Sequence, residues 1–159
     1  MKTRRYFFGT FIAIGLVAST LFIASCDKED LNVNDDTYTI SGDASGAQEN
    51  PAVATTATGT LSGDYDAKTN RLTYTINWTG LTGIITVAHF HGPAVAGANA
   101  GPMVDIAIGT NGISGSTSGS LTLADSTETH LLNGKVYYNL HTATNPNGEI
   151  RGQVITTVN

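Results

Sequence analysis

The sequence predicts an all-β fold, an antiparallel Greek-key sandwich of about eight strands with one short helix. From Thr37 onward, polar and apolar residues alternate with a period of two, which is typical of strands that bury one face. The connections between these stretches contain Gly, Asn and Pro, which favour turns. A chain of 159 residues leaves room for one such domain and little else.

The clearest strand is Arg71–Trp78, whose alternation predicts that Leu72, Tyr74, Ile76 and Trp78 face the core. Turn-forming residues at 66–70 join it to the preceding strand as a hairpin. In chain order, the predicted strands are Tyr38–Gly42, Thr58–Asp66, Arg71–Trp78, Ile84–His91, Val104–Ile108, Ser116–Leu123, Lys135–His141 and Glu149–Ile155.

One short helix interrupts the strands after residue 124. Asp125 and Glu128 have the spacing of a capping box, in which Asp125 accepts a backbone N–H and Glu128 reaches back. Leu131 and Leu132 give this helix an apolar side, and Gly134 suits a left-handed stop after it.

Residues 1–25 have the layout of an export signal. Lys2, Arg4 and Arg5 precede an uncharged, largely apolar run that ends in small residues before Cys26. The segment 21–26 resembles a bacterial lipobox, which implies cleavage before Cys26, a diacylglycerol on its thiol and an acyl chain such as palmitate on the new amino terminus. Two or more buried chains hold a protein on a bilayer almost permanently. The alternative is an uncleaved transmembrane anchor, since about 20 apolar residues can span a membrane.

Residues 26–36 are expected to be a lipidated Cys followed by an acidic tether to the domain at 37–159. The stretch contains almost no apolar residues and cannot order itself by burying surface. Its run Lys28-Glu29-Asp30 resembles the acidic export tag of some surface-exposed lipoproteins, and a plain spacer is the alternative. The expected location is therefore the cell envelope, on the outer membrane and exposed at the surface.

Charge and composition exclude several functions. From Cys26 onward, 5 basic residues face 13 acidic ones, so the formal charge is −8 and nucleic acid is not an expected partner. A single Cys excludes a disulfide scaffold and sites that need several thiolates. The sequence has no phosphate-binding loop, G-x-S-x-G elbow or H-E-x-x-H motif, which argues against an enzyme.

Three ordered segments are distinctive: Ala47–Val53, Ala88–Ala94 and Tyr138–Gln153. Together they resemble the CHRD domain, the module first named from the extracellular protein chordin. The resemblance covers roughly residues 38–154. It implies an extracytoplasmic β-sandwich and no established reaction.

The histidines in these segments form a candidate metal site. In a strand, residues two apart share a face, so His89 and His91 are expected on one side, next to Val87 and Ile85. His141 is expected at the end of another strand, on one face with Tyr137 and Asn139. Imidazoles at strand ends are typical ligands of copper or zinc, and Met103 is a candidate soft fourth ligand that favours Cu(I).

The same order of motifs also resembles, more faintly, the Cu/Zn superoxide dismutase sandwich. The resemblance matches His89 and His91 to its H-x-H pair, His141 to its later copper ligand and Arg151 to its substrate-guiding arginine. Where that family has a metal-bridging His, this chain has Met103, and Cys26 alone cannot form that family's disulfide. The resemblance therefore implies at most a remnant three-His site.

The alternative is that these histidines are structural. Their rings can hold loops by donating to backbone carbonyls, with Glu49 and Glu149 as further acceptors, and Glu149 and Arg151 can pair on one face. Two functional hypotheses follow. One is a non-enzymatic, lipid-tethered surface module that binds a protein or glycan, and the other is a copper- or zinc-binding protein.

Overall fold

The computed structural model describes residues 37–109 and 111–159. The predicted export signal, Cys26 and the acidic tether lie outside these residues. Within them the chain forms nine strands, one α-helix and a 3-10 turn at Gly46–Gln48. The strands are β1 (Thr37–Ser45), β2 (Thr58–Asp66), β3 (Arg71–Thr79), β4 (Ile85–His91), β5 (Pro102–Asp105), β6 (Gly115–Thr122), β7 (Tyr137–Thr142), β8 (Ile150–Gln153) and β9 (Ile155–Val158), and the helix is α1 (Asp125–Leu132).

The strands form one curled antiparallel sheet in the order β5-β4-β7-β8-β1-β2-β3-β6, and β9 also pairs with β1. Curling brings its two halves face to face. Tyr74 on β3 and Phe90 on β4 are far apart in this order, yet their rings meet edge to face with centroids 5.4 Å apart. The apolar faces of both halves enclose a single core. The predicted all-β, sandwich-like fold with one short helix is confirmed.

The predicted core face of β3 is also confirmed, because Leu72, Tyr74, Ile76 and Trp78 are all buried. This strand pairs with β2 and β6 along its whole predicted length, so it lies inside the sheet. No helix within the described residues is long and apolar enough to cross a membrane.

Three predictions about the elements need correction. The predicted strand Glu149–Ile155 is two strands, because the chain leaves β7 at Val154 and β9 continues along β1. The strand predicted at Val104–Ile108 is β5, which begins two residues earlier, at Pro102, and ends three residues earlier, at Asp105. Asp125 is the first residue of α1 and not its cap, since the N-cap position is Ala124 and carries no side-chain cap.

The end of α1 follows the prediction. Gly134 has a φ of +65°, in the left-handed region, and its N–H donates to the carbonyl of Leu131 at 3.0 Å. This conformation costs glycine little, because it has no Cβ to meet the backbone.

Candidate metal centre

Strands β4 and β7 carry the candidate ligands side by side. They pair antiparallel, with Val87 opposite His141, His89 opposite Asn139 and His91 opposite Tyr137. All these residues therefore share one face of the sheet, as the alternation predicts. The expected place of Ile85 on that face is wrong. A register shift between Ile85 and Val87 turns Ile85 into the core beside Ala88 and Phe90.

The three imidazoles converge. One ring nitrogen from each of His89, His91 and His141 lies within 4.8 Å of the others. The closest pair is Nδ1 of His89 and Nε2 of His141, 3.4 Å apart. Two nitrogens bound to one ion at 2.0–2.1 Å in tetrahedral geometry lie about 3.4 Å apart, so this pair already has the spacing that a metal requires.

Backbone carbonyls orient two of the rings. Nδ1 of His91 lies 3.0 Å from the carbonyl oxygen of Ala100, and Nδ1 of His141 lies 3.0 Å from that of Pro146. A carbonyl only accepts, so each Nδ1 must carry the proton and each Nε2 keeps its lone pair. Nε2 of His91 is buried and has no hydrogen-bond partner among the described residues. The site therefore offers a buried nitrogen lone pair that nothing else in the described structure uses.

The protonation state of these rings suits metal binding. Burial lowers the pKa of both His91 and His141, outweighing the carbonyl hydrogen bonds that favour the charged rings. The neighbouring His89 lowers both pKa values further. Both rings are neutral at neutral pH, as a metal ligand must be.

The third ring has a different partner. Nε2 of His89 lies 3.6 Å from Oδ1 of Asp105, which is opposite it on β5, and the Asp105 side chain is 95 % exposed. A carboxylate beside Nε2 favours the tautomer that carries the proton there, which leaves the lone pair on Nδ1, the nitrogen that faces His141. Sequence reasoning did not find Asp105, although its position on the neighbouring strand follows from the pairing.

Met103 takes a place that the sequence did not indicate. It is the extra residue of a bulge, since His91 pairs with Pro102 and Phe90 pairs with Val104. Its side chain packs against the core, and a Cβ on Gly92 would lie 2.7 Å from its methyl group and 3.1 Å from its sulfur. None of its described contacts is with an imidazole. Its role as a fourth ligand stays a prediction.

Glu149 does not support the histidines. It is fully buried, and its carboxylate accepts hydrogen bonds from the Thr55, Thr82 and Thr142 hydroxyls and from the Thr82 N–H. Burial alone would raise the pKa of Glu149, but these hydrogen bonds lower it below its ordinary value. The expectation that Glu149 accepts from an imidazole is wrong, because its described partners are threonines.

Arg151 does not pair with Glu149 either. Its guanidinium donates to Oδ1 of Asn99 at 3.0 Å and to the carbonyl of Ala98 at 2.8 Å, and its Cζ lies 3.9 Å from the centre of the Tyr137 ring. The other neighbour of that ring is His91, stacked on it with centroids 4.8 Å apart. Arg151 is thus a buried cation that supports the loop at 98–99 and the Tyr137 ring.

The family model of the CHRD domain matches residues 40–154. The chain belongs to the CHRD domain family. The match includes all three histidines of the site and confirms the family that the three sequence segments predicted. Neither the curated proteins nor the solved structures contain a significant match to the chain. The fainter likeness to superoxide dismutase therefore stays an expectation.

A second polar group of the CHRD domain lies beside the histidines. Burial raises the pKa of Glu49 to about 7, although the positive charge of Arg151 and the amide of Asn139 act to lower it. Its Oε1 and the Oδ1 of Asn139 are buried and have no hydrogen-bond partner among the described residues. The sequence suggested that Glu49 accepts a hydrogen bond from an imidazole, and this expectation is wrong. Glu49 instead lines a cavity next to His91.

Proposed function

We propose that this CHRD domain is a binding module that holds one copper or zinc ion between His89, His91 and His141. The observation that carries this proposal is the convergence of the three rings, with Nδ1 of His91 and of His141 each held by a backbone carbonyl. Metal-bound histidines commonly donate their second ring nitrogen to such an oxygen, which fixes the tautomer and the direction of the ligand.

The ligand chemistry narrows the choice of metal. Neutral imidazoles suit copper and zinc, whereas magnesium and calcium prefer oxygen ligands. Cu(II) binds more tightly than Zn(II) to nitrogen sites in general, so the expected order of affinity is copper above zinc. Three protein ligands leave a fourth position open for water or a bound molecule.

The alternative role for these histidines is structural. In that case the hydrogen bonds to Ala100 and Pro146 would serve only to hold the two loops that contain these residues. A purely structural role leaves the buried Nε2 of His91 without a hydrogen-bond partner, which costs free energy for a polar atom. A metal ion satisfies this atom and explains why two neighbouring strands bring three imidazoles together.

Metal content tests the proposal directly. The purified protein is stripped with a chelator, incubated with CuSO₄ or ZnSO₄ at neutral pH, desalted and analysed by elemental mass spectrometry. We expect one ion per chain, and copper should displace zinc. Protein that retains neither metal would show that the histidines are structural.

The Asp105 carboxylate supplies a finer test. We expect Asp105→Asn to weaken zinc binding by about tenfold, because a neutral amide oxygen favours the His89 tautomer that turns its Nδ1 lone pair toward the metal less than a carboxylate does. The measurement is competition with a chromophoric chelator. Asp64→Asn, an exposed position on β2, is the matched control. Equal affinity of the two variants would mean that Asp105 does not orient His89.

We further propose that the domain is anchored to the bacterial cell envelope through acylated Cys26, with the bilayer as its partner and the domain facing the surface. The support is the basic start, the apolar run and the small residues before Cys26 in the sequence. An anchored domain of this kind would meet proteins and glycans rather than nucleic acid, which its acidic charge repels.

Replacing Cys26 with Ala tests the anchor. We expect Cys26→Ala to abolish labelling by a clickable fatty acid and to leave an uncleaved or mislocalised precursor, because no other thiol can take the diacylglycerol. The checks are gel fluorescence and membrane fractionation against the wild-type chain. A variant that labels and fractionates like the wild type would refute the lipobox interpretation.

A further inference from the structure

A cavity of about 320 Å³ opens beside His91. Its walls come from the segment around residues 49–51, the loop at 99–100, strand β7 and the turn at residue 147. We call it the amide pocket because most of its polar side chains are amides. Its polar side chains are Glu49, Asn50, His91, Asn99, Asn139, Asn147 and the phenol of Tyr137.

The buried polar atoms of the amide pocket that lack a partner among the described residues are acceptors. Oδ1 of Asn139 and Oε1 of Glu49 are buried without a hydrogen-bond partner among the described residues, and Asn139 is only 3 % exposed. The amide donors of Asn50 and Asn99 are already used, the first on the carbonyl of Gly97 and the second on that of Asn50. A ligand that enters must therefore bring hydrogen-bond donors.

Charge narrows the class of ligand further. Arg151 lies near Glu49 and acts on it electrostatically, so the surroundings of the pocket already contain a buried cation. An ammonium ion would be repelled by this cation, and by any metal at His91 as well. An anion would face the lone pairs of the free acceptors. A neutral ligand avoids both costs.

We propose that the amide pocket binds a small, neutral, polyhydroxylated ligand of about the size of one sugar residue. A hydroxyl group both donates and accepts, so it can pair with Glu49 in either protonation state and with the Asn139 oxygen. The volume has room for about ten water-sized groups at roughly 30 Å³ each, which is close to the size of a monosaccharide ring.

This inference deepens the proposed binding role and names a ligand class for it, but it does not depend on the metal. The pocket is bounded by His91 at one wall, while the unpartnered oxygens belong to Glu49 and Asn139. Sugar binding and metal binding can therefore succeed or fail separately. Both the chelator-treated and the zinc-loaded protein are used in the test.

The experiment is an NMR titration of the ¹⁵N-labelled protein with D-glucose. D-glucosamine and D-glucuronate serve as cationic and anionic analogues of similar size. We expect saturable shifts at the amide groups of the pocket with glucose, and at least tenfold weaker binding of both charged analogues. Glu49→Ala and Asn139→Ala should each weaken glucose binding at least tenfold.

The matched control is Gln48→Ala, an exposed neighbour of Glu49 that lines a different cavity and should bind glucose like the wild type. Glu49 is only half-buried, so Glu49→Ala remains informative if Asn139→Ala fails to fold. Saturable binding by chelator-treated protein supports the pocket even if no metal binds. Absence of saturable shifts in both forms, or equal binding of a charged analogue, would overturn the proposal.

Discussion

His89→Ala is expected to weaken zinc and copper binding by more than about 100-fold and to leave the fold intact. The ring supplies one of three converging nitrogens, and removing a direct ligand costs more than removing a residue that only orients one. The side chain is 20 % exposed and has no described backbone hydrogen bond, so its removal should cost little stability beyond the loss of its 3.4 Å contact with Nε2 of His141. Competition with a chelator measures the affinity, and circular dichroism measures the fold.

His130→Ala is the matched control, since His130 lies on α1 and outside the cluster. His141→Ala should also lose the metal. It should in addition lose about 1 kcal/mol of stability, because its Nδ1 donates to the carbonyl of Pro146. If His89→Ala and His130→Ala bind metal equally, the three rings are not a metal site.

The pH dependence has a definite direction. Protons compete with the metal for the ring nitrogens, so affinity must fall as pH decreases through the pKa values of the rings. Burial lowers the pKa values of His91 and His141 below the ordinary value of 6.5, so more than half of each ring population is neutral at that pH. We expect the main loss of affinity below about pH 6.5 and little change above neutrality.

Trp78→Ala is expected to destabilise the domain by about 3–5 kcal/mol, the usual cost of deleting a large buried aromatic side chain. The residue is 3 % exposed, and its Nε1–H donates to the carbonyl of Gly112 at 2.9 Å. Its ring also fills the space over Gly115, where a Cβ would lie 2.8 Å from the indole. Truncation removes all of these contacts at once.

Urea unfolding followed by circular dichroism measures this effect. The free energy of unfolding of a domain of this size is about 5–15 kcal/mol. A loss of about 3–5 kcal/mol should therefore lower the urea midpoint clearly. Trp78→Phe is the control, since it keeps most of the ring and should lose less. An unchanged midpoint for Trp78→Ala would contradict the burial of the indole.

The fold could be predicted from the sequence because most of its strands bury one face. The alternation of Leu72, Tyr74, Ile76 and Trp78 fixes which side of β3 is buried, and the structure agrees. The register shift that turns Ile85 into the core leaves no such signal, since a bulge changes the phase of an otherwise regular pattern. The break at Val154 also leaves no signal in the sequence. A buried apolar residue between two strands fits the pattern of one continuous strand.

The ligand histidines could be found from their spacing and from the family resemblance, but their surroundings could not. Residues two apart on one strand must share a face, which places His89 beside His91. The carbonyls of Ala100 and Pro146 are backbone groups, and backbone groups carry no sequence signature. The expected partners Glu49 and Glu149 were wrong because a carboxylate pairs with whichever donors the folded loops bring to it.

The carboxylate of Glu149 has a consequence for how the domain opens. Its partners are Thr55 and Thr82 in two connections and Thr142 at the end of β7. The Thr55 hydroxyl donates to Oε1, and the hydroxyls of Thr82 and Thr142 donate to Oε2. When one of these segments opens, it removes hydrogen bonds from a buried carboxylate that also holds the other two segments. We therefore expect the three segments to exchange their amide protons with solvent together, and acid that protonates Glu149 to weaken all three contacts.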